Sequence, residues 1–398
     1  MKTSLSKIIE IKKGKKPISQ SKEKVAEQLP YVDIKAFETG IVDNYTDGKK
    51  CVPCEDGDLL IVCDGSRSGL IGKAIKGYVG STLARVDVPE FIEKDYLFYF
   101  IQGRYSQLNT NVKGTGTPHL NQELLKSFEI FLPELSEQQR IVERIEELFS
   151  QLDSAVETLQ KTKQQLAVYR QAVLKEAFEG NLTKSWRIIN SYKNEWKEMD
   201  IGYLIQNDKC ALKAGPFGSS LKKECYVSNG YKIYGQEQVI SGNENFGDYY
   251  INEQKYQELF SCRIKPYDVL ISLVGTVGKV LILSEHCQPG IINPRLIKIS
   301  LDKEKMIPEF FKYYFESDYL RSLYKSKVHG ATMDVLNKGM IKELPFAWCP
   351  LEEQNQVVKE IESRLSICDN IGKTIDVALQ QAEAMRQSIL KKAFEGKL

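Results

Sequence analysis

Histidine is the scarcest chemistry-bearing residue in this 398-residue chain. Only His119, His286 and His329 occur. None has a second histidine one helical turn away, so a helix-borne imidazole metal site is excluded. Charge of one sign is also lacking: 55 Lys and Arg face 53 Asp and Glu, a formal +2, too small a field to advertise a polyanion or membrane partner. There is no long apolar run. The most apolar stretch, Val269 to Leu283, is broken by Lys279 and two glycines and is too short to span a bilayer. The opening residues lack the apolar core of a secretion signal. Nine cysteines, an odd number scattered along the chain, suit reduced thiols better than a disulfide framework. These absences lead us to expect a soluble cytoplasmic protein, and the length points to more than one domain.

Recognisable catalytic motifs are missing as well. Cys51-Val-Pro-Cys54 has zinc-ligand spacing but no second pair, and reads as a surface loop with two free thiols. Gly275-Thr-Val-Gly-Lys-Val280 is too short for a phosphate-binding loop and has Val where the metal-binding hydroxyl belongs. Asn293-Pro-Arg295 lacks the Pro-aromatic continuation of an amino-methyltransferase motif. Neither a nuclease carboxylate–lysine set nor a nucleophile elbow is present. The expectation is a chain with no catalytic chemistry, metal site or bound cofactor of its own.

What is present is a duplication. Glu137-Gln-Gln-Arg-Ile-Val-Glu-Arg-Ile-Glu returns 216 residues later as Glu353-Gln-Asn-Gln-Val-Val-Lys-Glu-Ile-Glu, and Arg170 to Gly180 returns as Arg386 to Gly396. Over the 46 ungapped positions from Glu137 to Leu182, 19 are identical, where chance would give roughly three. The repeat continues faintly upstream: Gly57-Asp-Leu-Leu-Ile-Val62 resembles Tyr267-Asp-Val-Leu-Ile-Ser272, and Gly114 to Asn121 lies 216 residues ahead of Gly330 to Asn337.

The well-kept segments read as helices. Ile145, Leu152, Leu159, Leu166 and Val173 recur every seven residues, with Ile141, Leu148, Ala155, Thr162 and Tyr169 beside them. In the second copy the seam is Ile361, Cys368, Ile375, Ala382 and Ile389, with Val357, Arg364, Ile371, Ala378 and Met385 beside it. Such a stripe is a coiled-coil seam. Two per chain can bury it against each other, whereas one alone leaves it wet; pairing between chains is the alternative. Gly180 and Gly396 are the expected C-caps.

The organisation expected is residues 1–132 as a first module, 133–182 as a helix, 183–195 as a polar linker, 196–349 as a second module and 350–398 as a second helix. The modules read as mixed α/β, with β-branched runs among Gly-rich turns. The aromatic segments Tyr96 to Phe100 and Phe310 to Phe315 read as buried helices rather than base-stacking platforms. Residues 1–132 carry 19 basic and 17 acidic groups and residues 183–349 carry 23 and 19, whereas 133–182 and 350–398 carry 6 against 9 and 7 against 8. Any polyanion should therefore meet the modules. In the second module the loop Lys213 to Lys223 offers Lys213, Phe217, Ser219, Ser220, Lys222 and Lys223, with glycines that let phosphates approach backbone N–H groups. In the first, Lys12, Lys13, Lys15 and Lys16 are the electrostatic counterpart. Lys113, Thr115, Thr117 and His119, and Lys327, His329 and Thr332, occupy equivalent places and can reach base edges. Arg67 and Arg295 are the candidate guanine readers, because an arginine fork matches guanine O6 and N7.

The twin Glu-Gln blocks, the twin Ala-Phe-Glu-Gly endings (Ala177 to Gly180, Ala393 to Gly396), Gly215-Pro-Phe-Gly-Ser-Ser220 and Gly116-Thr-Pro-His-Leu-Asn121, in this order, make the sequence resemble a type I restriction-modification specificity subunit over essentially the whole chain. The resemblance implies two target-recognition domains, each reading one half of a bipartite DNA site. It implies conserved helices packed as an intramolecular antiparallel coiled coil with pseudo-twofold symmetry, setting the spacer. Those helices would dock two methyltransferase subunits, with restriction subunits joining the assembly. S-adenosylmethionine, ATP and Mg are implied only for those partners. The first module departs from the pattern, lacking the Trp that opens the second (Trp196) and a clear Gly-Pro-Phe-Gly loop. The competing reading is a coiled-coil protein–protein adaptor that does not recognise DNA.

Overall fold

The computed structural model describes residues 2–25, 27–114, 116–274, 276–327 and 336–398, leaving aside the side chains of 324–327. The chain folds into two compact units, Met1–Gln160 with Ile375–Leu398, and Lys161–Thr374. Each unit holds one module and one end of both long helices, so the division cuts through the helices and not at the module borders read from sequence. A long helix belongs at each end with whatever it packs against there.

In the first unit a four-stranded antiparallel sheet runs in the order Glu10–Lys13, Leu83–Asp87, Leu59–Val62, Ile71–Lys73. A second sheet pairs Leu29–Val32 with Gly77–Val79 in parallel and is flanked by Tyr45–Thr46 and Pro53–Cys54. Leu59–Val62 is buried along its whole length, as a run of four apolar residues requires when both faces are covered. The second unit repeats the plan. Its antiparallel sheet is Leu212–Ala214, Leu296–Ile299, Val269–Ser272, Val280–Ile282, and Tyr231–Tyr234 lies parallel to Gly290–Ile292. The modules have drifted in sequence and kept their topology. Each opens on a strand that pairs antiparallel with its last strand: Lys2–Ser4 with Glu129–Phe131, and Lys197–Asp200 with Pro345–Trp348.

The aromatic segments are buried helices, Lys94–Gln102 and Pro308–Phe315. Tyr96, Phe100, Phe310, Phe311 and Phe315 are all sealed from solvent, each contributing about 1.5–3 kcal/mol by burial. Their N-termini are fixed by one device used twice. The buried Gln138 accepts from the backbone N–H of Glu93 and donates to the carbonyls of Phe91 and Pro133. Its repeat mate Gln354 accepts from Ile307 N–H and donates to the carbonyls of Lys305 and Cys349.

The long helices are Leu135–Phe178 and Leu351–Phe394, each of 44 residues and so roughly 66 Å long. Both end on a left-handed glycine, Gly180 (φ 74°) and Gly396 (φ 70°), with the N–H of the following residue returning to the carbonyls of Glu176 and Lys392, as a Schellman cap requires. They pair antiparallel inside the one chain. In the first unit Ile145 and Phe149 pack on Leu390 and Ala393, and Asp153 pairs with Arg386. In the second, Val173, Leu174 and Ala177 share a core with Val357, Val358 and Ile361, and Arg170 pairs with Asp369. The 216-residue shift carries Asp153 onto Asp369 and Arg170 onto Arg386: one ion pair, made twice.

The seam is narrower than the heptads suggest. Ile145, Leu152, Val173, Ile361, Cys368, Ile375 and Ala382 are buried, while Leu159, Leu166 and Ile389 are half-buried. The companion positions Ala155, Tyr169, Ile371 and Met385 face solvent. Each helix thus buries one row of its stripe more fully than the companion row along most of its length. As its spacing suggests, Leu365 packs on the core in place of Arg364, which pairs with Glu360.

Two further corrections concern short segments. Residues 183–195 are not a bare linker: they hold the helix Lys184–Ile189, and Thr183, Arg187 and Trp196 all hydrogen-bond to the buried carboxylate of Glu353. Cys51 and Cys54 do not share a surface loop. Cys54 lies buried on a strand, where burial pushes its thiol up to about 11.

Candidate nucleic-acid interface

In the first module two loops are stitched into one platform. The turn after the buried strand Leu59–Val62 and the loop 113–119 exchange backbone bonds from Gly65 N–H to Pro118 O and from Leu120 N–H to Cys63 O. The buried Ser68 hydroxyl lies within bonding distance of the carbonyls of Cys63, Gly65 and Pro118. Lys113 and His119 exchange both backbone bonds at 2.8 Å, closing the loop on itself. On this platform Asp64 holds two candidate contact residues: His119 Nδ1 lies 2.7 Å from one carboxylate oxygen and Lys13 Nζ 2.9 Å from the other. Burial works against the Asp64 carboxylate, but hydrogen bonds from Lys13 and His119 outweigh it and hold the carboxyl below the usual aspartate range.

Other cations of this module are less available than their sequence positions imply. Lys12 is bound to Asp87 at 2.7 Å and lies 3.5 Å from Glu10, and its pKa is raised chiefly by the hydrogen bond to Asp87. Arg67 pairs with Glu38, and Lys113 with Glu123 at 2.6 Å. Among the described residues Lys15 and Lys16 are exposed cations without an ion pair. They follow Gly14, where a Cβ would overlap the Gly80 carbonyl. Thr117 is exposed, and Thr115 lies outside the described residues.

The second module brings its candidates together more openly. Gly215 donates to Leu296 O, as Gly14 donates to Leu83 O in the first module, and a Cβ on Gly215 would overlap the Asn293 carbonyl. That contact lays the Gly215–Lys223 loop against the turn Asn293-Pro294-Arg295. Lys213 is half-buried in its strand, Ser219 is exposed and Ser220 half-buried. Phe217 is 86% exposed. Lys222, Lys223 and Arg295 are exposed, with no side-chain ion pair among the described residues. Lys327 ends the helix Asp318–Lys327, while His329 and Thr332 lie outside the described residues. The structure therefore makes Gly14-Lys15-Lys16-Pro17 the positional counterpart of Gly215-Pro-Phe-Gly218, a kinship hidden because glycine alone is demanded by the backbone. It also reveals Asp64, which no spacing links to a histidine 55 residues away.

Among the described residues, no group of three or more His, Cys, Asp or Glu side chains is placed to hold a metal ion, and no helix is long and apolar enough to cross a membrane.

The sequence matches the type I restriction modification DNA specificity domain family over residues 1–167 and 195–381, and the chain belongs to that family. It is 25% identical to the type I restriction enzyme EcoBI specificity subunit of Escherichia coli, over 86% of this chain and 73% of that one. It is 24% identical to the MjaVIII specificity subunit of Methanocaldococcus jannaschii, over 97% and 90%. Its fold is similar to that of the HsdS subunit of Thermoanaerobacter tengcongensis, with TM-score 0.55, 18% identity and 100% and 97% of the two chains covered. A chain solved in work on complex assembly and conformational transition of a type I R-M system gives TM-score 0.73 at 17% identity, covering 100% and 98%.

Proposed function

We propose that each module reads one half of a bipartite, asymmetric DNA site, and that the paired helices set the spacer and dock two methyltransferase subunits, with restriction subunits completing the assembly. On this reading the chain contributes specificity and no catalysis. S-adenosylmethionine, ATP and Mg belong to the partners. The observation that supports it best is the repeated ion pair, Asp153 with Arg386 and Arg170 with Asp369. The long helices carry the same residues in the same register in both repeats, which suits two copies of one partner, while the diverged modules suit two different sequences. Nothing favours the adaptor alternative.

The test is to insert one heptad into each long helix at positions related by the repeat, and to map methylated sites made by the full complex. The expected result is unchanged half-sites with an altered spacer. Unchanged spacing would remove the ruler role.

A further inference from the structure

Asp64, His119 and Lys13 form a unit whose chemistry goes past a general DNA contact. Asp64 is ionised at neutral pH, its carboxyl side chain being only 19% exposed and held by two donors. A carboxylate oxygen 2.7 Å from Nδ1 requires that nitrogen to carry the proton, and in the neutral ring this leaves Nε2 bare. The ring is otherwise open, with a side chain 53% exposed, and Nε2 has no hydrogen-bond partner among the described residues. Its approach is kept clear by Gly114. That residue sits at φ 95°, and a Cβ on it would stand 3.1 Å from the ring's Cδ2 and 3.9 Å from Nε2. The unit thus presents an acceptor, His119 Nε2, and a donor, the Lys13 ammonium. Both are clamped to one carboxylate on a loop tied down by the Lys113 and Ser68 bonds.

A bare ring nitrogen is the complement of a base edge that offers a hydrogen-bond donor. In the major groove adenine shows its N6 amino group next to N7. Guanine shows two acceptors, O6 and N7, and thymine shows O4. We propose that this unit is a base-reading site in which His119 takes an exocyclic amino group, that of adenine or cytosine, in the first module's half-site. Asp64 is its positioning residue. Guanine and thymine are rejected because O6 or O4 would face the bare Nε2. Among the described residues the second module shows no such unit: strand alignment places Val274 where the first has Asp64, and the Val274 carbonyl instead accepts from Gln236. The two half-sites are then read by different chemistry.

This inference rests on the reading that the first module contacts DNA, and its test separates the two. The full complex with its methyltransferase partners is assayed on duplexes carrying every single substitution in both half-sites. His119→Ala is expected to lose roughly ten- to hundredfold discrimination at one position of one half-site, leaving the other half-site intact. His119→Gln, which restores an acceptor, is expected to recover part of it. Asp64→Asn, which cannot hold both Lys13 and the ring as the carboxylate does, is expected to relax the same position. In the full-length chain, ¹⁵N spectra of histidine are expected to show His119 protonated at Nδ1, and that signature is expected to be lost in Asp64→Ala. A change in overall affinity with discrimination unaltered at every position would overturn base reading by His119 and leave half-site recognition standing. Loss of the same position in Asp64→Ala with the histidine signature unchanged would overturn the positioning role of Asp64. An unaltered chain that discriminates at no position of this half-site would overturn the half-site reading itself.

Discussion

The two modules place polar side chains at the same three aligned positions and treat them in opposite ways. In the second, Asp268, Lys298 and Ser300 are sealed: Lys298 Nζ lies 3.1 Å from Asp268, with both side chains no more than 2% exposed, and Ser300 bonds the other carboxylate oxygen. In the first, the aligned residues are Asp58, Arg85 and Asp87, near the surface. Arg85 and Lys12 share Asp87 at 2.7 Å, and Lys94 takes Asp58 at 2.9 Å. The strands and their pairing are alike, so topology does not demand either solution. What differs is how much covers the sheet, and with it how much an unpaired charge costs.

That difference can be broken at its strongest point. Lys298→Met leaves the Asp268 carboxylate buried without its counter-ion and is expected to destabilise the second unit by about 3–5 kcal/mol. Arg85→Met in the first is expected to cost at most about 1 kcal/mol, since its partners remain hydrated. Hydrogen exchange in strands Leu296–Ile299 and Leu83–Asp87 reads the two effects separately, and equal losses would refute the contrast. The starts of the long helices offer a second comparison. Glu353 is buried and gathers Thr183, Arg187 and Trp196, whereas its repeat mate Glu137 is half-buried and pairs with Arg140, its own helical neighbour. Glu353→Ala strands a nearly buried guanidinium and is expected to cost about 2–4 kcal/mol, and Glu137→Ala under about 0.5. Thermal unfolding of the two variants checks the ratio. The smallest expected effect is a gain. Gly372 stands where the first helix has Val156, and a Cβ there would meet no neighbouring atom within 4 Å. Gly372→Ala is expected to stabilise by about 0.5–1 kcal/mol, measurable as a raised unfolding midpoint.

Much of this architecture was legible in the sequence because it is written in periodicity and duplication. The repeat, both long helices with their glycine caps, and the buried aromatic helices all follow from local pattern. What escaped depends on residues far apart in the chain. Lys12 and Arg67 look like free cations until Asp87 and Glu38 are seen beside them, and those partners sit on other elements. Tyr169 and Met385 satisfy a heptad on paper, yet a lone facing helix leaves them wet. Asp64 gives no signal at all: its meaning comes from a hairpin end and a loop meeting in space. The basic loops stand out by composition, while their correspondence between modules had to wait for the clash that Gly14 and Gly215 both avoid.

The glutamine joints have a consequence for how such a molecule can change. Every hydrogen bond that Gln138 and Gln354 make ends on a main-chain atom, and a peptide group is the same whatever side chain it carries. This part of the weld between rod and reader is therefore indifferent to the reader's side chains. A replacement domain must still offer apolar rings to Phe394 or Phe178, but the glutamine asks it only for main-chain groups, which leaves its contact face free to be rewritten without loosening the frame.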